Sequence, residues 1–378
     1  MIRSTFFPKG CRKRSSVPTT ESVSRHALIM CACVKHLYSA RDAIDAAIFR
    51  GELEAKWKEF LQTVAGEKRS DELDLDLDEG AISSAADAFR YEYDLITVEE
   101  TEAWLANRGL TLDDFTHYFT RHYWANAFYK EIVPVDVEYQ SASRELRESF
   151  LTELILSGEL YRMTTALMWR LAAHCVEKDP DPDAIAVAEQ KFFDRNEIER
   201  SQLAEWLERL ERDSEWFNIM LVIDAAYRTR RDTLLVPQAR QRELAALRLA
   251  LTRFETEIIE FESRDAAKEA LFCVREDGMS MEEIASEGRY PYRRVNFLLE
   301  DFPIDTQQRF LCVSTGQVLK PIERGDGFEL YRILKKIEPS LDDPRVKSRI
   351  DQRLLDRHFS ELVSKHVEQR LGTPVTAQ

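Results

Sequence analysis

Glycine is scarce in this sequence, with 12 among 378 residues. There is no Walker-type phosphate loop, no Gly-x-Gly-x-x-Gly fingerprint and no Gly-x-Ser-x-Gly elbow. Chemistry that needs a close backbone approach to a phosphate, or a nucleophile on a strained turn, is therefore excluded. Positive charge is also in short supply. Lys and Arg number 53 against 68 Asp and Glu, a formal net charge of −15, whereas nucleic-acid binding needs a basic surface. Long apolar runs are missing too. The best candidate, Ala27 to Val34, falls well short of the roughly 18 residues that cross a bilayer. It is closer in length to a signal-peptide core, with Arg3, Lys9, Arg12, Lys13 and Arg25 ahead of it, but no clear small-residue cleavage site follows. A disordered basic leader over residues 1–38, or a start codon placed too far upstream, fits this stretch better, and a cytoplasmic location is expected.

Cysteine is neither dense nor patterned. Cys11, Cys31, Cys33, Cys175, Cys273 and Cys312 are scattered, mostly in apolar contexts. That distribution suits buried thiols in a reducing compartment and not a disulfide framework. Cys31-x-Cys33 lacks a second pair or a His motif nearby. His117 and His122 miss the i, i+4 spacing of a helical zinc pair. His174 and Cys175 are adjacent in sequence, so their side chains leave a helix in different directions and do not form a nucleophile pair on their own. No metal and no cofactor is expected.

What the sequence does have is helical pattern. From Ser39 the residues Ile44, Ile48, Leu53, Trp57 and Phe60 recur at helical spacing. The acidic stretch Asp71–Glu79 reads as a solvated linker. Thr97-x-x-Glu100 and Thr111-x-x-Asp114 are capping boxes, in which each side chain satisfies an orphan backbone N–H at a helix start. A faint internal repeat runs through this region: Phe89, Leu95, Trp104-Leu105 and Phe115 are echoed by Phe192, Ile198, Trp206-Leu207 and Phe217. It is either a duplicated helical arm or two helix pairs sharing generic core aromatics. The run from Phe115 through Tyr118 and Phe119 to Trp124 has two readings as well, a groove for apolar peptide segments or a helix packed on two sides.

The texture changes after Pro237. Residues 249–262 are rich in strand formers, Ser263 to Arg275 reads as a helix, and Ser280-x-x-Glu283 caps a shorter one. A loop-rich region punctuated by Pro291, Pro303, Gly316 and Pro321 leads to a strand from Phe328 to Ile333. A last helix begins at Asp343-Pro344, with proline at its first position. The expected organisation is mainly α: a leader over 1–38, a helical region over 39–240, a small α+β domain over 241–338, and a C-terminal helix over 339–378 that packs back on the helical region.

The second half carries a resemblance. Phe310-Leu311-Cys312-Val313-Ser314-Thr315-Gly316-Gln317-Val318 with Lys320-Pro321-Ile322 is similar to the Phe-x-Leu-x-x-Gly-Glu-Val-x-x-Pro-Val signature of the parvulin family of prolyl isomerases. Gly325 to Leu330 resembles that family's terminal Gly-Tyr-His-Ile-Ile strand. Joined to a helical region, the combination looks like SurA-type foldases and, more weakly, like parvulin-related accessory proteins of peptide maturation. The resemblance implies two histidines, one on the first strand and one on the last, facing each other beneath the substrate proline. Here the matching positions are Glu329 on the last strand and Glu257 or Ile258 on the first, and none is His. The family's aromatic wall maps to Thr306, Phe302 stands near its Met position, and Leu311 and Val313 keep apolar character. Glu329 is expected to face solvent.

Isomerisation must take the amide out of plane over a barrier of about 18–20 kcal/mol, and a site helps by holding the twisted form in a pre-shaped apolar pocket. Without the histidines and the ring wall, the expected function is a non-catalytic peptide-binding chaperone or maturation accessory protein. Its expected partner is an unfolded or precursor peptide, or a client protein. The alternatives are a divergent prolyl isomerase and a helical adaptor in a stable complex. The peptide-contacting residues implied are Phe302, Thr306, Leu311, Val313, Glu329 and Glu257, with Phe115, Tyr118, Phe119 and Trp124 from the helical region.

Overall fold

The computed structural model describes residues 25–373 apart from Val135 and Asp326, with no side chains described beyond Arg370. Most of the leader expected at 1–38, including Cys11, lies outside the described residues. The remainder of the chain forms two units. One is built from the chain up to Tyr227 and again from Glu361, the other from Arg228–Ser360. The expected domain break near residue 240 therefore falls earlier, inside a helix. No helix among the described residues is long and apolar enough to cross a membrane.

The first unit opens with a hairpin, β1 (Ile29–Cys33) and β2 (His36–Ser39). This corrects the expectation of a leader extending to residue 38: Leu28, Ile29, Met30, Cys31 and Cys33 are buried, and burial outweighs the entropy of ordering the strand. Ten helices follow: α1 (Ala40–Phe49), α2 (Leu53–Glu72), α3 (Glu79–Glu92), α4 (Val98–Ala106), α5 (Leu112–Ala127), α6 (Arg144–Leu156), α7 (Glu159–Val176), α8 (Pro182–Asn196), α9 (Leu203–Arg209) and α10 (Ser214–Leu234). Thr97 and Thr111 each accept from the third helical N–H, and Glu100 and Asp114 reach back to the cap, as the capping boxes require. Helices α2 and α5 approach closely where Gly66 meets Ala125, since a Cβ on Gly66 would lie 2.6 Å from the Ala125 backbone nitrogen.

The faint repeat has a geometric counterpart. Phe89 meets Trp104 edge-on at 5.5 Å (83°) and Phe115 at 5.2 Å (73°). Phe192 meets Trp206 at 5.0 Å (82°) and Phe217 at 4.9 Å (70°). Left-handed residues stand at matching places, Asp94 with Glu197 and Gly109 with Glu211. The corner glycines match as well: Gly51 between α1 and α2 faces the Arg195 Cβ, and Gly158 between α6 and α7 faces the Tyr93 hydroxyl. Helices α1–α5 and α6–α10 are thus two copies of one arrangement, each placing its corner glycine against a helix end of the other.

The second unit begins within α10. It continues with α11 (Pro237–Ala246), β3 (Arg253–Phe261), α12 (Arg264–Arg275), α13 (Met281–Gly288), β4 (Tyr292–Leu298), α14 (Ile304–Cys312), β5 (Ile322–Arg324), β6 (Gly327–Ile337) and the first part of α15 (Pro344–His366). The expected strand, helix, capped short helix, strand and last helix stand in that order, with β4, α14 and β5 in addition. The loop expected between Pro291 and Pro303 holds β4, whose Arg293, Arg294 and Asn296 suit a sheet edge. The sheet is antiparallel throughout, in the order β4-β3-β6-β5.

Its two faces follow from period-2 alternation. Phe254 and Ile258 join Phe297, Phe310, Tyr331 and Ile333 in one core. Ile259 and Phe261 join Leu330 and the apolar stripes of α12 and α13 in the other. Burying an aromatic or aliphatic side chain of this size contributes roughly 1.5–3 kcal/mol. The opening half of α15 also belongs here, with Val346 and Ile350 packed on Leu251 and Leu298. That is a correction to the expected packing of the whole last helix on the helical region: the chain rejoins the first unit at Glu361. There β7 (Val367–Thr373) pairs with β1, giving the sheet β2-β1-β7.

Candidate functional site

The register of β3 on β6 decides which residues share a face. Ile258 lies opposite Tyr331, Glu260 opposite Glu329, and Glu257 opposite Arg332. Directly opposed residues of an antiparallel pair project to one side, and alternation puts Ile258, Glu260, Glu329 and Tyr331 together. Of the two first-strand positions that the resemblance offered, Ile258 therefore shares a face with Glu329. Glu257 projects from the other face, a correction to its inclusion among the peptide-contacting residues. There its carboxylate is buried and accepts from the Tyr292 hydroxyl at 2.8 Å and Arg294 Nη2 at 3.0 Å.

Glu329 does not face solvent as expected. It is 6% exposed. Its Oε1 accepts from Arg293 Nη2 at 2.8 Å, and its Oε2 accepts from the Tyr331 hydroxyl and, at 3.4 Å, from Arg324 Nη1. Arg293 reaches Glu260 Oε1 at 2.9 Å as well, so one guanidinium ties two strands. Burial, and after it the Glu329 carboxylate, raise the Tyr331 hydroxyl above its ordinary pKa, which keeps it protonated and donating. Desolvating a carboxylate is offset only when its lone pairs are satisfied, and this one is satisfied from three sides.

Phe302 is half-buried against Phe297 (4.6 Å), Phe310 (5.0 Å) and Tyr331 (6.0 Å), with the Arg324 guanidinium 5.4 Å from its ring centre. Val313 packs on the same core. Thr306 sits in the first turn of α14, its amide donating to the Pro303 carbonyl at 2.9 Å. Leu311 is 40% exposed while its neighbour Phe310 is fully buried, so the apolar residue that builds this face is Phe310 and not Leu311. Phe302, Val313 and Glu329 come together; Glu257 and Leu311 do not join them.

The aromatic run on α5 is core. Phe115, Phe119 and Trp124 are buried, with Phe115 and Phe119 edge-on at 4.9 Å and Tyr118 against Phe119 at 5.0 Å. Burial raises the Tyr118 hydroxyl above its ordinary pKa. The run is thus a helix packed on two sides, which corrects the expectation of a surface groove at Phe115, Tyr118, Phe119 and Trp124.

A groove lies elsewhere in the first unit, where sequence reasoning placed none. Trp57, Leu61, Ile198 and Trp206 line a cavity of about 390 Å³ between the α1–α2 corner and the α8–α9 corner, and residues 136–140 form one wall. That wall is fixed by Trp57 Nε1 donating to the Val137 carbonyl at 2.5 Å and by an Arg209–Glu138 ion pair at 3.2 Å. The repeat explains the opening. In the first half Tyr93, four residues beyond Phe89, stacks on Phe89 at 4.4 Å and meets Trp104 at 5.4 Å. Its counterpart beyond Phe192 is Asn196, whose Nδ2 donates to the carbonyls of Phe49 and Phe192 at 3.2 and 3.0 Å. Phe49 supplies the ring stacked on Phe192 at 5.0 Å. Phe192 is the one ring that Trp206 touches among the described residues. The unmatched pair Tyr93 and Asn196, visible in the sequence once the repeat is aligned, was the signal for this groove.

Among solved structures the likeness is to foldases. The peptidylprolyl isomerase PrsA of Bacillus cereus matches with a TM-score of 0.36 and 11% identity, over 61% of this chain and 89% of that chain. PrsA of Bacillus anthracis matches at 0.31 and 14%, over 54% and 94%, and a SurA-like chaperone of Campylobacter jejuni at 0.20 and 10%, over 56% and 88%. No family model matches the chain, and no curated protein does. At TM-scores this low the foldase likeness carries no chemistry, and what each unit does rests on its own side chains.

On the sheet face, the Glu329 carboxylate is committed to Arg293, Arg324 and Tyr331, and the aliphatic Ile258 shares that face. The groove sets Trp57, Leu61, Ile198 and Trp206 among charged residues of both signs, Asp136 and Glu197 with Lys58, Arg195 and Arg209. Such a mixed lining joins apolar contact to polar groups that orient a ligand.

Proposed function

We propose that this chain is a non-catalytic peptide-holding protein of chaperone or maturation type. Its groove receives an aromatic side chain of an unfolded or precursor peptide, and its parvulin-like unit does not isomerise prolyl bonds. The observation that supports this reading is the inequality of Tyr93 and Asn196. One half of the repeat fills the place beside its tryptophan with its own ring, and the other leaves a cavity of about 390 Å³ there. An aromatic side chain buries about 150–250 Å² and suits such an anchor position. Lys58, Arg195 and Arg209 share the lining with Asp136 and Glu197, so the ring and not a flanking charge carries the recognition.

The test is tryptophan fluorescence of the full chain titrated with extended peptides. One series carries Tyr, Phe or Trp beside Lys, a second replaces the ring with Ala, and Xaa-Pro exchange is followed in the same samples. Saturable binding by the ring series, at least tenfold tighter than by the Ala series and without faster exchange, supports the proposal. Faster cis–trans exchange would make the chain an isomerase. Equal affinity in both series would remove the groove from the function.

A further inference from the structure

Cys33 and Cys175, 142 positions apart in sequence, have their Sγ atoms 3.4 Å apart in the first unit. Cys33 ends β1 and is buried, whereas Cys175, in the last turn of α7, is half-buried. Cys31 lies two residues back on β1 and is fully buried. Scattered thiols in apolar contexts gave no hint of this pairing, which exists only because β1 lies against the end of α7.

We infer that Cys33 and Cys175 are a redox modification site, forming a reversible disulfide that fastens β1 to α7 when a small-molecule disulfide is the oxidant. The more accessible Cys175 reacts first. Its thiolate attacks one sulfur of the oxidant, the oxidant's S–S bond breaks, and one half leaves as a thiol while the other stays on Cys175 as a mixed disulfide. Cys33 then gives up its proton and attacks the Cys175 sulfur, and the second half leaves as a thiol. Two protein thiols are oxidised and one small disulfide is reduced to two thiols, so atoms and electrons balance. Burial, followed by the contact with Cys175, pushes the Cys33 thiol up to about 12. That slows the second step, because the thiolate is the nucleophile.

The consequence reaches the end of the chain. Cys33 pairs with Val367 of β7 across the β1–β7 ladder and with His36 of β2 across the hairpin. Fastening β1 to α7 therefore fixes the strand on which both neighbours are registered, and the oxidation state sets how readily the sheet comes apart.

The experiment incubates the full chain with oxidised glutathione, blocks remaining thiols, and maps peptides by mass spectrometry beside a thermal melt. The expected result is a Cys33–Cys175 cross-link with loss of two hydrogens and a melting midpoint raised by about 5–10 °C. Dithiothreitol should reverse both, Cys31→Ala should keep both, and Cys175→Ala should lose both. A lasting glutathione adduct on Cys175 with Cys33 still open to alkylation after unfolding would overturn the inference. So would a Cys31–Cys175 link, or a correct link that leaves the midpoint unmoved. The adduct map of the unsubstituted chain decides the matter even where a variant fails to fold.

Discussion

Tyr93 and Asn196 occupy equivalent places in the two halves of the first unit, each four residues beyond the phenylalanine hub and one before a left-handed residue, and only Tyr93 brings a ring to its tryptophan. Exchanging that difference should exchange the property. Asn196→Tyr fills the groove and is expected to weaken binding of ring-bearing peptides at least tenfold while the fold is kept. Tyr93→Ala removes a stacked ring that is 38% exposed and should cost about 1–2 kcal/mol. Peptide titration and urea unfolding of the two variants read these outcomes, and unchanged peptide affinity in Asn196→Tyr would sink the assignment of the groove.

Glu329 is expected to behave as a structural carboxylate. Glu329→Ala strips the acceptor from Tyr331, Arg293 and Arg324. Both arginines are about half exposed and can turn to water, so the cost is set at about 1–3 kcal/mol and not at the value for a fully buried pair. Glu329→Gln should lose less. Urea denaturation measures both, while exchange at Xaa-Pro bonds should stay at the uncatalysed rate in all three proteins.

Gly66→Ala tests the contact of α2 with α5. Alanine favours a helix by about 1 kcal/mol over glycine, yet its Cβ would lie 2.6 Å from the Ala125 nitrogen and 2.8 Å from the Ala125 Cα. Backbone cannot yield as a side chain tip does, so overpacking by about 1–3 kcal/mol should win. A lowered melting temperature is the expected result, and a raised one would show that the helices are free to part.

The Ser280–Glu283 capping box predicts a pH effect. The Ser280 backbone N–H, and after it the Ser280 hydroxyl, hold the Glu283 carboxyl below its ordinary value of 4.5. A carboxyl depressed in the folded state stabilises it above the unfolded pKa, and that contribution is lost as pH falls through the folded pKa. Carboxyl NMR titration should therefore place Glu283 under 4.5. Ser280→Ala should return it only part of the way, because the stronger backbone bond remains. A full return to 4.5 would assign the whole shift to the hydroxyl.

Local chemistry was the legible part of this sequence. The caps at Thr97, Thr111 and Ser280 and the start of α15 at Pro344 are read from neighbouring residues and stand where expected. The mainly α fold follows from helical spacing. What escaped depends on distant partners. Strand β4 carries Arg293, Arg294 and Asn296, and its apolar alternation is confined to Val295 and Phe297. The burial of Glu329 follows from Arg293, which lies on that same inconspicuous strand. The hairpin of β1 and β2 resembles a leader in sequence because its stabilising neighbour, β7, lies at the far end of the chain. The groove needed the repeat to be aligned residue by residue, so that Asn196 would stand out against Tyr93.

The β1–β7 pairing also sets an order of events at the ribosome. The second unit, Arg228–Ser360, is carried between two segments of the first. During vectorial synthesis its whole sequence has been made before β7 emerges, so it can fold while the sheet that closes the first unit still lacks a strand. Until translation reaches Val367, β1 has a vacant edge, and the nascent chain must keep that edge from pairing with other strands.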